Sequence, residues 1–193
     1  NSQHVLMRTS NVVVALVMIA LLNSVYGHLC IYTPRQRGDF FNGEAAQHQC
    51  FRPKVPCGGQ TFSGKIASIV TGNAPFQVFF QQNLNHYSIG NTGYLSVAIS
   101  RNPEPTSQDD FLPLAYVTDY YPVRQWTQTN FSVTVNLPSN FGACDHCVLQ
   151  VRYVPHKPTE PIFHQCSDIK VTAASNIAQQ SVPVVNEPAP LKK

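Results

Sequence analysis

Two histidines and a short list of carboxylates carry the chemistry this sequence can do. His28 follows Val25-Tyr26-Gly27, in which small or apolar residues stand at positions −3 and −1 of a cleavage site. Before them lies an apolar run from Val12 to Leu22, preceded by Arg8, with Met7 as an eligible start. A charged segment, an apolar core too short to span a bilayer and a small-residue site together predict a secretory signal peptide over 1–27. Cutting after Gly27 exposes the α-amine of His28. That residue then offers two nitrogens, the amine and the imidazole Nδ1, which can close a chelate ring on one metal ion. A second imidazole opposite completes a T-shaped set of three nitrogens. Tetragonal nitrogen and oxygen ligation favours Cu(II) over Zn(II), by geometry and by affinity order. The amine ordinarily titrates at roughly 7.7–8.0, so copper must displace its proton.

Five histidines could supply the second imidazole: His48, His86, His146, His156 and His164. His86 follows the strand-like Phe76–Gln81 and precedes a glycine-containing turn, at a sheet end where sites sit on a rigid scaffold. His48 precedes Cys50, His146 lies between Cys144 and Cys147, and His156 and His164 flank a proline-rich turn. Those four read as solvated or structural residues.

The elements that must hold such a site read as β structure. Phe131, Val133, Val135 and Leu137 alternate with polar residues, and Leu95, Val97 and Ile99 alternate with Ser96, Ala98 and Ser100. Cys147, Leu149, Val151 and Tyr153 line one face of a third strand. Ile66–Val70, Phe76–Gln81 and Ile169–Val171 are further candidates, separated by turns rich in Asn, Pro and Gly. No stretch keeps a helical period. The pattern predicts an all-β, immunoglobulin/fibronectin-like antiparallel β-sandwich over 28–172, followed by a disordered polar tail over 173–193. That tail lacks the apolar segment of a glycolipid-anchor signal.

Of 193 residues, 166 remain once the first 27 are removed, enough for one domain with a sizeable core. Net charge is +3, or +2 without Arg8, and no basic run carries interleaved aromatics, so nucleic acid is not a partner. Six cysteines in an exported chain imply three disulfides, with 15 connectivities open. A zinc site at Cys144 and Cys147 is the rival, and oxidising compartments disfavour it. Asn130-Phe131-Ser132 is an N-glycosylation sequon, so the chain is expected to be a glycoprotein. Arg37-Gly38-Asp39 has the form of an integrin-binding tripeptide, which is short enough to arise by chance.

Three motifs in order carry a family resemblance: His28-Leu29-Cys30-Ile31-Tyr32-Thr33-Pro34-Arg35-Gln36-Arg37-Gly38, then Pro56-Cys57-Gly58-Gly59, then His164-Gln165-Cys166-Ser167-Asp168-Ile169. From His28 to about Val171 the chain resembles the fungal copper-binding proteins related to lytic polysaccharide monooxygenases, including the Bim-type copper acquisition factors. The resemblance implies a histidine brace, with His28 as its first residue and His86 as its second. It also implies an aspartate as a further copper ligand. Asp168 is the candidate by its place in the closing motif, with Asp39 and Asp145 as alternatives. Cys57 is expected to pair with Cys166. The chain departs from the family where His164 replaces a tyrosine and where Cys30 and Cys50 add a disulfide.

Two functions follow from the resemblance. One is extracellular copper capture or homeostasis, with copper itself, a membrane copper transporter or a cell-surface polysaccharide as partner. The other is oxidative cleavage of chitin, cellulose or another glucan. A carboxylate ligand stabilises Cu(II) over Cu(I) and fills a position that oxygen would need, which favours capture. An oxygenase would want a flat aromatic face, for which Tyr87, Tyr94, Trp126, Tyr120 and Tyr121 are candidates.

Overall fold

The computed structural model describes residues 28–38, 47–119 and 129–173. The expected signal segment, Asp39, Tyr120, Tyr121, Trp126 and the expected tail after 173 lie outside them. Eight strands form two sheets. Strands β1 (Leu29–Thr33), β3 (Phe76–Gln82) and β6 (Thr129–Val135) make one, in the order β1-β3-β6. Strands β2 (Ser68–Thr71), β8 (Phe163–Thr172), β7 (Cys144–Val154), β4 (Tyr94–Ser100) and β5 (Leu112–Thr118) make the other, in that order. One helical turn, α1 (Gln47–Cys50), precedes β2. Every pairing is antiparallel except β2 against β8, which is parallel.

Alternation explains the packing between the sheets. Leu29, Ile31, Val78, Phe80 and Val135 from the smaller sheet meet Leu95, Val97, Ile99, Leu149, Val151, Tyr153, Phe163 and Ile169 from the larger one. In β6 the apolar residues turn inward and the polar ones outward, as expected of a half-buried strand. In β4 the expectation is incomplete. Ser96, Ala98 and Ser100 are buried as well, because a second, smaller core of Cys57, Ala98, Phe111, Val148 and Cys166 covers the outer face of that sheet. Small side chains there leave room for the loop carrying Cys57.

The disulfides are Cys30–Cys50, Cys57–Cys166 and Cys144–Cys147, and no cysteine is free. The second matches the pairing that the resemblance implied, and the third removes the zinc alternative. Arg37 is buried and bonds inside the fold, so its side chain is not presented for docking. The Asn130 side chain lies on β6, where its Oδ1 accepts from Gln81 Nε2 at 2.7 Å. No helix among the described residues is long and apolar enough to cross a membrane.

Candidate metal centre

The site lies at one end of the sandwich, where β1 and β8 begin and β3 and β7 end. His28 sits immediately before β1, and its carbonyl accepts from Asn83 N at 3.2 Å, which extends the β1–β3 ladder by one bond. Its ring packs on Phe163 (centroids 4.1 Å apart) and edge-on against Phe51 (5.1 Å). His86 belongs to the loop that leaves β3. An Asn85 side chain accepts from Tyr87 N and fixes the turn. His86 N donates to the Tyr153 hydroxyl at 2.8 Å, which donates to Asp119 Oδ2 at 2.8 Å. Further along, Gly93 passes against the end of β7. A Cβ there would stand 2.2 Å from the Val154 carbonyl oxygen, so only glycine allows so close an approach.

These anchors bring the two imidazoles together, with centroids 4.6 Å apart. Both side chains are buried, at 3% and 6% exposure. His28 Nδ1 and both ring nitrogens of His86 have no hydrogen-bond partner among the described residues. Glu160, from the loop between β7 and β8, completes the cluster. Its Oε1 lies 3.4 Å from His86 Nδ1, near enough for attraction but not aligned as a hydrogen bond, and 3.5 Å from Lys157 Nζ. One donor atom from each of His28, His86 and Glu160 falls within 4.8 Å of the others.

Burial sets the charge state. It pushes His28 down to about 3, with repulsion from His86 adding to the effect. His86 is also lowered, first by burial and then by Lys157, against the opposing pull of Glu160 and Asp119. Both rings are therefore neutral near pH 7 and carry a lone pair that a metal can take. A buried polar atom without a partner costs stability unless something satisfies it, so three such nitrogens beside a carboxylate fit a metal ion.

The structure does not bring Asp168 to this pair. Adjacent residues of a strand face opposite sides, and Ile169 points into the core, so Asp168 points to the outer face. It also stands five residues beyond Phe163, about 17 Å along β8 at 3.4 Å per residue. There its carboxylate accepts from Arg37 Nη2 at 2.7 Å and Arg37 Nε at 3.0 Å, and lies 2.8 Å from His146 Nε2. Asp145 is 92% exposed and pairs with Lys170. Of the remaining histidines, His156 is exposed and His164 is buried on the outer face of β8. Sequence reasoning missed Glu160 and Asp119. The first has no signal beyond its place between Pro158 and Pro161, and the second could have been found beside Tyr120 at the end of β5.

An immunoglobulin-like sandwich with a buried histidine pair at one end is the class that this fold and site define. A family model described as copper acquisition factor BIM1-like matches residues 26–187, and the chain belongs to that family. No curated protein matches it. Among solved structures it is similar to a cellulose-active polysaccharide monooxygenase from M. thermophila, at 16% identity over 64% of this chain and 60% of that one, with a TM-score of 0.45. It is also similar to an entomopoxvirus fusolin, at 14% identity over 70% of this chain and 46% of that one, with a TM-score of 0.40. The alignments thus span about half to three fifths of those proteins.

Proposed function

We propose that the chain is secreted, is cut after Gly27, and captures Cu(II) outside the cell through a brace formed by the amine and Nδ1 of His28 and the imidazole of His86. The observation that carries this reading is the convergence of buried, neutral ring nitrogens that make no hydrogen bond among the described residues. When bound, copper would supply a Lewis-acidic centre for those donors and a redox couple. The residues themselves hold, orient and desolvate it. Phe51 and Phe163 wall the His28 ring, and Tyr153 fixes the backbone of His86. A site so deeply set suits retention better than contact with an insoluble glycan. Delivery to a membrane copper transporter belongs to the same proposal.

Intact mass and calorimetry of the secreted protein test it. The expected product begins at His28 and binds one equivalent of Cu(II), and one extra N-terminal residue weakens that binding. A different first residue, or equal binding by the extended form, would sink the brace. With reductant and peroxide, wild type is expected to release no oxidised oligosaccharides from chitin, cellulose or β-glucan. Release at catalytic yield, lost in His86→Ala, would make the protein a polysaccharide monooxygenase instead.

A further inference from the structure

The Glu160 carboxylate lies beside one nitrogen of the His86 ring, the other nitrogen makes no hydrogen bond among the described residues, and that arrangement assigns Glu160 a role. A neutral imidazole has one N–H and one lone pair, and the partner of the N–H decides which nitrogen keeps the lone pair. Metal-bound histidines almost always donate their second nitrogen to a carboxylate, a carbonyl or water, and the partner raises the basicity of the ligating atom. We propose that Glu160 is the positioning residue of the centre: it accepts the Nδ1 proton of His86 and thereby commits Nε2 to the metal. The inference rests on the copper-binding reading above and deepens it.

Four observations support it. Glu160 Oε1 stands 3.4 Å from His86 Nδ1, at the outer reach of a hydrogen bond. His86 Nδ1 has no hydrogen-bond acceptor among the described residues, so the proton has no rival destination there. Glu160 is itself held in place. Its N–H closes a turn onto Lys157 O at 2.9 Å, the Lys157 ammonium lies 3.5 Å from its Oε1, and Pro155, Pro158 and Pro161 restrict the loop backbone. Finally, Tyr153 and Asp119 fix the backbone of His86, so ring rotation is the freedom that remains. Glu160 removes that freedom, and the lone pair of Nε2 stays aimed at the site without a search over tautomers.

The experiment uses protein beginning at His28, as wild type, Glu160→Ala and Glu160→Asp. Nitrogen-15 NMR of the metal-free proteins reads the His86 tautomer. Wild type is expected as Nδ1–H, and Glu160→Ala as a mixture. Cu(II) affinity should fall about ten- to a hundredfold in Glu160→Ala, the range for loss of such a partner. The donor pattern in the paramagnetic resonance spectrum should not change, and Glu160→Asp should recover part of the affinity. An Nε2–H tautomer in wild type, wild-type affinity in Glu160→Ala, or loss of an oxygen donor from its spectrum would each overturn the assignment. Failure of wild type to bind copper would instead remove the proposed function, while the tautomer of the metal-free ring would still decide the role of Glu160.

Discussion

The Arg37–Asp168–His146 cluster and the His28–His86 pair are both buried groups of ionisable side chains, and they differ in how completely the protein satisfies them. Arg37 donates to both oxygens of Asp168, to Pro103 O and to Gln60 O, and His146 meets Asp168 from the other side. That cluster ties the segment after β1 to β8 across the outer face of the larger sheet. At the sandwich end, three buried ring nitrogens make no aligned hydrogen bond among the described residues, and a carboxylate, Glu160, stands 3.4 Å from one of them. Burial is alike in the two places but charge is not. An ion pair is satisfied within the fold in one, and neutral rings are left short of hydrogen bonds in the other. That is the contrast expected between a structural knot and a candidate binding site.

Paired substitutions give the largest test of that contrast. His86→Ala should weaken Cu(II) by more than about a hundredfold, since loss of an outer partner alone costs up to that. It should leave the knot intact. Asp168→Asn should leave copper affinity unchanged and lower the stability of the metal-free protein by about 3 kcal/mol, because Arg37 then keeps a buried charge with only the exposed Glu104, 3.8 Å away, to offset it. Isothermal titration and urea unfolding of both variants read the two effects. A fall in copper affinity in Asp168→Asn would reverse the division and restore Asp168 as a ligand.

Acid sharpens the comparison at intermediate size. His164 is buried on the outer face, where burial first and Arg152 second push it down to about 4 from 6.5. Its proton binds the unfolded chain before the folded one, so its contribution to stability is full above pH 6.5 and is lost as pH falls toward 4. His28 and His86 act in the same direction. Urea unfolding of metal-free His164→Gln should depend less steeply on pH between those limits than wild type. An unchanged slope would mean that His164 is protonated inside the fold. The smallest effect belongs to Lys170→Ala, which removes an exposed pair with Asp145 and should leave stability and copper affinity within experimental error.

The sandwich was legible where alternation is strict. Strands β4, β6 and β7 stand close to where period-two patterning placed them, and β2, β3 and β8 fall on the further apolar candidates, although β8 starts six residues earlier than its segment suggested. β5 was not read, because Pro113 interrupts its run and edge strands are where proline is tolerated. β1 was read as a motif and not as a strand. The expectation that His28 and His86 share a site rested on local signals, an expected cleavage site and a sheet-end loop, and the fold brings the two rings together. Glu160 could not be named, since only the pairing of Tyr153 with Phe163 folds its loop back over His86. Asp168 illustrates the limit of motif position: the closing strand is found, but the face on which a residue emerges depends on its register.

The bridge between Cys30 and Cys50 starts two residues from His28. Chain ends ordinarily fray, and a chelating end that frays has to be ordered again at every binding event. With the cut proposed after Gly27, the tether would be covalent, and the new terminus would arrive at its ligand already immobilised. The order of maturation follows. Before oxidation, the two thiols are themselves soft copper donors that compete with the imidazoles for the ion. After oxidation they are silent, and only the nitrogen site is left. Under the proposed function, metal loading would therefore wait on disulfide formation, and a molecule kept reduced would carry its copper in the wrong place.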